Sequence, residues 1–262
     1  MKRLILLFTV LCMFNCNTVS TNLYLDLMKK VVTNCIYEDG AYRGSDGGKF
    51  DYHSRENGMD WPQIAHTMIG LKRLENIQFC METVFKENIP GDFIETGVWR
   101  GGAVIFMRAV LKAYGITDRI VWAADSFEGL PKPNLGKYPA DHEMNLYQYK
   151  ELSISLEEVK KNFEKYALLD SQVKFLKGWF KDTLPIAPIK QLAVLRLDGD
   201  MYESTMDALV ALYPKLSIGG FVIVDDYFIP ACARAIHDYR YRNNIQDPIV
   251  PIDQWSVYWK CS

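Results

Sequence analysis

From Asp92 onward the chain repeats one pattern, a short apolar run followed by a turn and then a helical segment. The runs are Asp92–Val98, Arg119–Ala124, Val173–Leu176, Leu192–Leu197 and Phe221–Val224. Leu192–Leu197 and Phe221–Val224 are apolar at nearly every residue, as strands covered on both faces are. Helical periodicity marks a segment from Gly102 through Tyr114, Ser153–Lys165 with Leu156, Val159 and Phe163 as its stripe, Tyr202–Leu212 and Ala231–Arg242. Strands that alternate with helices pair in parallel, with the helices laid on both faces of the sheet. Ile249–Ile252 and Trp255–Trp259 lie too close together for such a crossover and predict a terminal antiparallel hairpin. The expected class is therefore α/β: a mostly parallel sheet with one antiparallel terminal strand and helices on both faces.

Ligands of open α/β sheets bind at the carboxyl ends of the strands. Two of those ends carry acids here. Asp225 and Asp226 close Gly219-Gly220-Phe221-Val222-Ile223-Val224, and Asp198 closes Leu192–Leu197. Carboxylates gathered at one site repel each other unless a cation sits among them, and hard oxygen donors suit a divalent ion such as Mg²⁺. The plainer reading is that the three are solvated strand ends or helix caps. Asp198-Gly199-Asp200 also has the Asp-x-Asp form with which metal-dependent glycosyltransferases hold Mn²⁺, so that class stands as an alternative.

The first strand runs into Glu95-Thr96-Gly97-Val98-Trp99-Arg100-Gly101-Gly102. Glycines at this turn let a ligand approach the backbone, although the spacing is not GxGxxG. The turn begins with an acid and has only Arg100 as a base, which does not favour a pyrophosphate. Asp125 ends the second strand, where an acid bonds ribose hydroxyls in nucleotide-binding sheets. Ordinary tight-turn geometry would explain the glycines as well. Together these residues suit an adenosine bearing a positive group better than a dinucleotide.

Residues 1–20 differ from the rest. Lys2 and Arg3 precede the apolar run Leu4–Phe14, in the manner of a signal peptide or short anchor, or of a start codon placed upstream of Met13. The chain has no Asn-x-Ser/Thr sequon, and its six cysteines, Cys12 and Cys16 of the leader included, form no CxxC pair, which favours a reducing compartment. A net charge of −2 gives no basic footprint for nucleic acid. The expected organisation is a leader over 1–20, an N-terminal helical cap over 21–90 and a catalytic domain over 91–262. In the cap, Leu23–Glu38 and Ile69–Lys86 are helical and Asp39–Met59, rich in Gly, Asp and Arg, is a loop. The long polar stretch Phe127–Lys150 is either a lid, with Tyr138, His142, Glu143, Tyr147 and Tyr149 closing over a ligand, or a solvated excursion. Tyr37, Arg43 and Met59 are candidates for the mouth of the site.

The segments Glu95–Gly102, Asp125–Pro131, Lys177–Pro185, Leu195–Asp207 and Gly219–Tyr227, together with Leu23–Leu27 and Asn34–Asp39, resemble the macrocin O-methyltransferase (TylF/MycF) family. The resemblance spans Leu23 to Lys260 and implies a class I methyltransferase with a Rossmann-like sheet. It implies transfer of a methyl group from S-adenosyl-L-methionine to a sugar hydroxyl with the help of Mg²⁺. By that resemblance Asp198, Asp225 and Asp226 are metal ligands, Asp198 also borders the cofactor, and Asp200 is the general base. Glu95, Thr96, Gly97 and Gly101 match the methionine end of the cofactor site, Asp125 and Ser126 the ribose contacts, and Gly178 and Trp179 the adenine. The expected partners are a small sugar or glycoside substrate and further copies of the chain as a homo-oligomer, with no nucleic acid and with membrane contact only through the leader. The expected location is cytoplasmic, with export or anchoring through residues 1–20 as the alternative. A non-catalytic nucleotide-binding homologue is the remaining reading.

Overall fold

A computed structural model describes residues 19–43 and 48–262. The proposed leader lies almost wholly outside them. A helix over 19–32, α1, is followed by the two-stranded pair β1 (Ala41–Arg43) and β2 (Trp61–Pro62), with the short α2 (Tyr52–Glu56) between. Next come α3 (Gly70–Lys86), β3 (Asp92–Thr96), α4 (Gly102–Ala113), β4 (Val121–Asp125), α5 (Leu156–Lys165) and β5 (Val173–Lys177). The chain ends with α6 (Phe180–Thr183), β6 (Leu192–Leu197), α7 (Tyr202–Leu212), β7 (Leu216–Val224), α8 (Pro230–Arg242), β8 (Val250–Pro251) and β9 (Val257–Lys260).

The main sheet has seven strands in the order β5-β4-β3-β6-β7-β9-β8. All pairings from β5 to β7 are parallel, and β9 runs antiparallel between β7 and β8. Successive side chains of each strand enter opposite faces. Phe93, Val121, Ala123, Val194, Phe221 and Ile223 join the core built by α1, α3, α4 and α5. Ile94, Trp122, Ala124, Leu195, Val222 and Val224 join the core built by α7 and α8. This is the expected α/β class with helices on both faces. The strand order reverses between β3 and β6, and the crevice above that switch point is where such a sheet holds its ligand.

Three segments differ from the sequence reading. The helix expected over Leu23–Glu38 ends at residue 32 and gives way to turns over 33–38. Asp39–Met59 is not a plain loop: Asp51 caps α2 by accepting the Ser54 amide at 2.7 Å. Arg55, fully buried, ion-pairs with Asp39 at 2.7 Å and Asp60 at 2.9 Å. Charge pairing instead of an apolar stripe organises this stretch, so hydrophobic periodicity does not reveal it. Strand β7 begins at Leu216, before the glycine pair, because Gly219 takes a φ of +82° and the strand pairing shifts register nearby. The glycines serve as a bulge inside a strand and do not end it.

Candidate active site

The carboxyl ends of β3, β4, β6 and β7 open onto one cavity of about 670 Å³. Of the residues singled out above, Glu95, Gly97, Asp125, Ser126, Gly178, Trp179, Asp198, Asp200, Asp225 and Asp226 line it. Thr96 and Gly101 do not. Thr96 is buried with its hydroxyl toward the Arg196 carbonyl, and Gly101 starts α4 at a φ of +90° facing Val159 of α5. Among the mouth candidates Met59 lines the cavity, and the exposed Tyr37 does not.

The glycine turn is built by close backbone approach. Gly97 has a φ of +91°, and a Cβ there would stand 1.6 Å from the Asp198 carbonyl oxygen. The ends of β3 and β6 can therefore meet only through glycine. The first amide of α4, on Gly102, donates to the His66 carbonyl at 2.8 Å. It is thus not free for a phosphate. Asp125 organises the neighbouring turn: Oδ2 accepts the Val98 amide and Oδ1 the Phe127 amide, each at 2.7 Å. The Ser126 hydroxyl also lies 3.4 Å from Oδ1, so local donors largely fix this carboxylate where it borders the cavity. The Ser126 hydroxyl is spent locally, donating to Gly129 at 2.6 Å and accepting from the Glu128 amide. Trp99 and Asp200, which line this cavity, and Phe127 in the core beside Asp125 hold positive φ angles that non-glycine residues seldom adopt.

At the acidic side, one oxygen from each of Asp198, Asp225 and Asp226 lies within 4.8 Å of the others. Two arginines that the sequence reading did not single out stand among them. Arg196, fully buried on β6, reaches Glu95, Asp198 and Asp225. Arg73 of α3 donates to Asp225 Oδ2 at 2.7 Å. A lone arginine inside the buried run Leu-Ala-Val-Leu-Arg-Leu was the available signal, because a buried guanidinium requires acids around it. Arg73 carried no such signal, since its partners are far away in sequence.

These guanidiniums do not balance the site. Among the described residues Asp226 accepts only the Asp200 amide, at 2.9 Å, and the Asp200 carboxylate has no cationic partner. Burial, then repulsion from Asp198 and Asp225, raises the pKa of Asp200. Burial and the Asp200 charge do the same to Asp226, and burial and Asp225 to Asp198. An all-oxygen donor set with excess negative charge fits a hard divalent cation. On the cavity floor Glu95 Oε2 is buried without a partner among the described residues, and burial pushes the Glu95 pKa up to about 8. A cationic ligand group at this end of the cavity would relieve that penalty.

The long segment after β4 is a built wall. Leu130, Pro131, Lys132, Asn134, Leu146 and Leu152 line the cavity. At its centre the fully buried Asp141 accepts the amides of Tyr202 at 2.6 Å and Glu203 at 3.1 Å. Asp141 thus caps α7, whose own cap position, Met201, offers no acceptor side chain. At its far end the Glu151 carbonyl accepts the Trp99 indole N–H at 2.8 Å. On the opposite rim Phe228 and Trp255 meet edge to face at 4.0 Å.

Comparison with known proteins places the chain in a family. The family model described as macrocin O-methyltransferase (TylF) matches residues 41–261. The chain belongs to the macrocin O-methyltransferase family. It is 58% identical over 241 residues to the 8-demethyl-8-(2,3-dimethoxy-α-L-rhamnosyl)-tetracenomycin-C 4′-O-methyltransferase of Streptomyces olivaceus, covering 91% of this chain and 92% of that one. It is 54% identical over 250 residues to the mycinamicin III 3″-O-methyltransferase of Micromonospora griseorubida, covering 94% and 98%. The solved structure of the O-methyltransferase NovP superposes with a TM-score of 0.89 at 53% identity, over 92% of this chain and 99% of that one. The macrocin O-methyltransferase family member described here is accordingly an O-methyltransferase with the class I methyltransferase fold. The glycosyltransferase reading of Asp198-Gly199-Asp200 is set aside by that membership. No described helix is long and apolar enough to cross a membrane.

Proposed function

We propose that this enzyme transfers a methyl group from S-adenosylmethionine to a sugar hydroxyl of a glycosylated small molecule, with Mg²⁺ held by Asp198, Asp225 and Asp226. The observation that carries the proposal is the convergence of those three acids on the same cavity as the Gly97 turn and Asp125. The printed activities of the tetracenomycin and mycinamicin relatives, both O-methylations of glycosylated compounds, support it.

When bound, the donor supplies a methyl group activated on a sulfonium, and the ion lowers the pKa of a coordinated hydroxyl. The chain does the rest. Glu95 and the Gly97 backbone face the cationic methionine end of the donor, Asp125 the ribose hydroxyls, and Gly178 and Trp179 the adenine. Asp198, Asp225 and Asp226 would hold the ion, which would bind hydroxyls of the acceptor sugar on the side of the cavity beside Asp200. Asp200 takes the proton from the hydroxyl oxygen that gains the methyl group. Its burial, the first cause of its raised pKa, makes it a stronger base than a solvated carboxylate. The apolar and aromatic rim, including Met59, Leu130, Phe228 and Trp255, suits the less polar part of a glycoside. A cytoplasmic site of action goes with this reading, because the donor is made there.

Calorimetry with S-adenosylhomocysteine, followed by mass spectrometry of a glycoside extract incubated with donor, tests it. The expected results are cofactor binding and a methylated sugar whose formation stops on EDTA treatment and resumes with Mg²⁺. Methylation insensitive to EDTA would remove the ion from the proposal, and absence of homologue binding would remove the donor.

A further inference from the structure

Asp225 differs from Asp198 and Asp226, each engaged at one oxygen among the described residues, in having both oxygens held. Oδ1 accepts from Arg196, and Oδ2 accepts from Arg73 Nη1 at 2.7 Å. Its backbone carbonyl accepts from Ser256 Oγ at 2.6 Å. Arg196 is fixed by its own strand, next to the acids it serves. Arg73 comes from α3, a helix outside the sheet, and is 5% exposed.

Arg73 is braced from behind. Its Nε donates to Asp253 Oδ2 at 2.9 Å, in the turn between β8 and β9. Asp253 Oδ1 accepts the amides of Trp255 at 2.8 Å and Ser256 at 2.9 Å. A continuous series of bonds thus runs from the turn that carries Trp255, through Asp253 and Arg73, to the carboxylate of Asp225. A planar guanidinium bonded at both Nε and Nη1 cannot swing about its own axis. The Asp225 carboxylate, held at both oxygens, keeps one orientation with a lone pair left on each oxygen.

We infer that Arg73 is a positioning residue for the metal-binding carboxylates, with Asp253 as its brace; the inference rests on the Mg²⁺ reading above. Arg73 fixes the rotamer of Asp225 so that the oxygens of Asp198, Asp225 and Asp226 face one point. Other roles give effects of other sign. As a bare positive charge beside the ion, Arg73 would repel it, and its removal would tighten metal binding. As packing between α3 and the terminal hairpin, it would change stability and leave metal affinity alone. Only positioning makes the affinity fall when Arg73 is lost.

The experiment measures Mn²⁺ binding by electron paramagnetic resonance for the full chain and for R73M, R73K and D253N. Melting temperature and S-adenosylhomocysteine affinity without metal are recorded alongside. R73M and R73K are expected to bind Mn²⁺ about tenfold more weakly or worse, as for other partners that orient metal-ligating carboxylates. D253N, which keeps the guanidinium and loses its brace, is expected to show a smaller loss in the same direction. The homologue affinity should stay unchanged in all three. Tighter or unchanged Mn²⁺ binding in R73M overturns the inference. If R73M does not fold, unchanged binding in both R73K and D253N overturns it. An unaltered chain that binds no Mn²⁺ overturns the metal reading and this inference with it. An unaltered chain that binds the ion while the variants bind it equally well overturns the inference alone.

Discussion

A Cβ added to Gly97 would stand 1.6 Å from the carbonyl oxygen of Asp198. The two residues end neighbouring parallel strands, β3 and β6, and the Asp198 amide donates to the Thr96 carbonyl at 2.9 Å beside them. Gly97→Ala must therefore part the strands at the switch point and also strain a φ of +91°. The expected cost is on the order of 3 kcal/mol, with weakened S-adenosylhomocysteine binding. Thermal melting and calorimetry would show it. A variant as stable and as tight-binding as its parent would mean that this contact does not shape the site.

Asp125→Ala is expected to act on cofactor binding. The carboxylate orders the Val98 and Phe127 amides and faces the cavity. Loss of charge-assisted bonds to ribose should cost about 1.5–3 kcal/mol of homologue affinity. The turnover of enzyme saturated with donor should change far less. A large fall in turnover with affinity intact would mean that the ribose assignment is mistaken.

Asp200→Asn should give the opposite pattern. The substitution keeps volume and the amide bond to Asp226 and removes the proposed base. Turnover should fall by about 10²–10⁴-fold, while homologue affinity is retained. Equal damage to both quantities would count against the proton-transfer role.

His66 provides a pH dependence away from the acids. Its Nδ1 lies 2.6 Å from the Tyr166 hydroxyl. Burial first, then Lys165 and Arg100, pushes its pKa down to about 4 from 6.5. Between those two values the unfolded chain binds a proton that the folded chain refuses. Stability from this residue is complete above pH 6.5 and is lost as pH falls to about 4. The loss is on the order of 2 kcal/mol for a half-buried ring. Melting temperatures of the unaltered chain and of His66→Gln, compared from pH 7 to 4.5, should converge as pH falls. Parallel curves would rule out this origin.

Most of the frame was legible in the sequence because strand runs such as Leu192–Leu197 and helices such as Tyr202–Leu212 carry their own periodicity, and both have the bounds the pattern implies. The strand-end acids were legible for the same reason, since their place follows from where the apolar runs stop. What could not be read were pairings between residues far apart. Arg73 meets Asp225 across 152 positions and Asp253 across 180, and a helical pattern records only that one arginine interrupts an apolar face. The lid question had the same character. Phe127–Lys150 has few apolar residues of its own, and its order comes from Asp141 satisfying amides of another element.

Asp141→Ala should uncap α7 at a cost of about 1 kcal/mol and loosen the segment from Pro139 to Leu152. Hydrogen exchange should quicken at the Tyr202 and Glu203 amides and within that segment together, and Asp141→Asn should restore much of the protection. Faster exchange at α7 alone would show that the two parts are not tied through this carboxylate.

The cap on α7 also bears on how such an enzyme can diversify. The segment that walls the cavity and the helix that follows Asp200 are folded as one piece, although about sixty residues separate them. A new acceptor specificity introduced by transplanting that wall from a relative would arrive without an anchor unless an acid came with it at position 141. Inheritance of the cavity wall in this lineage is thereby linked to the upkeep of the loop that carries Asp200, and the two are constrained to change together.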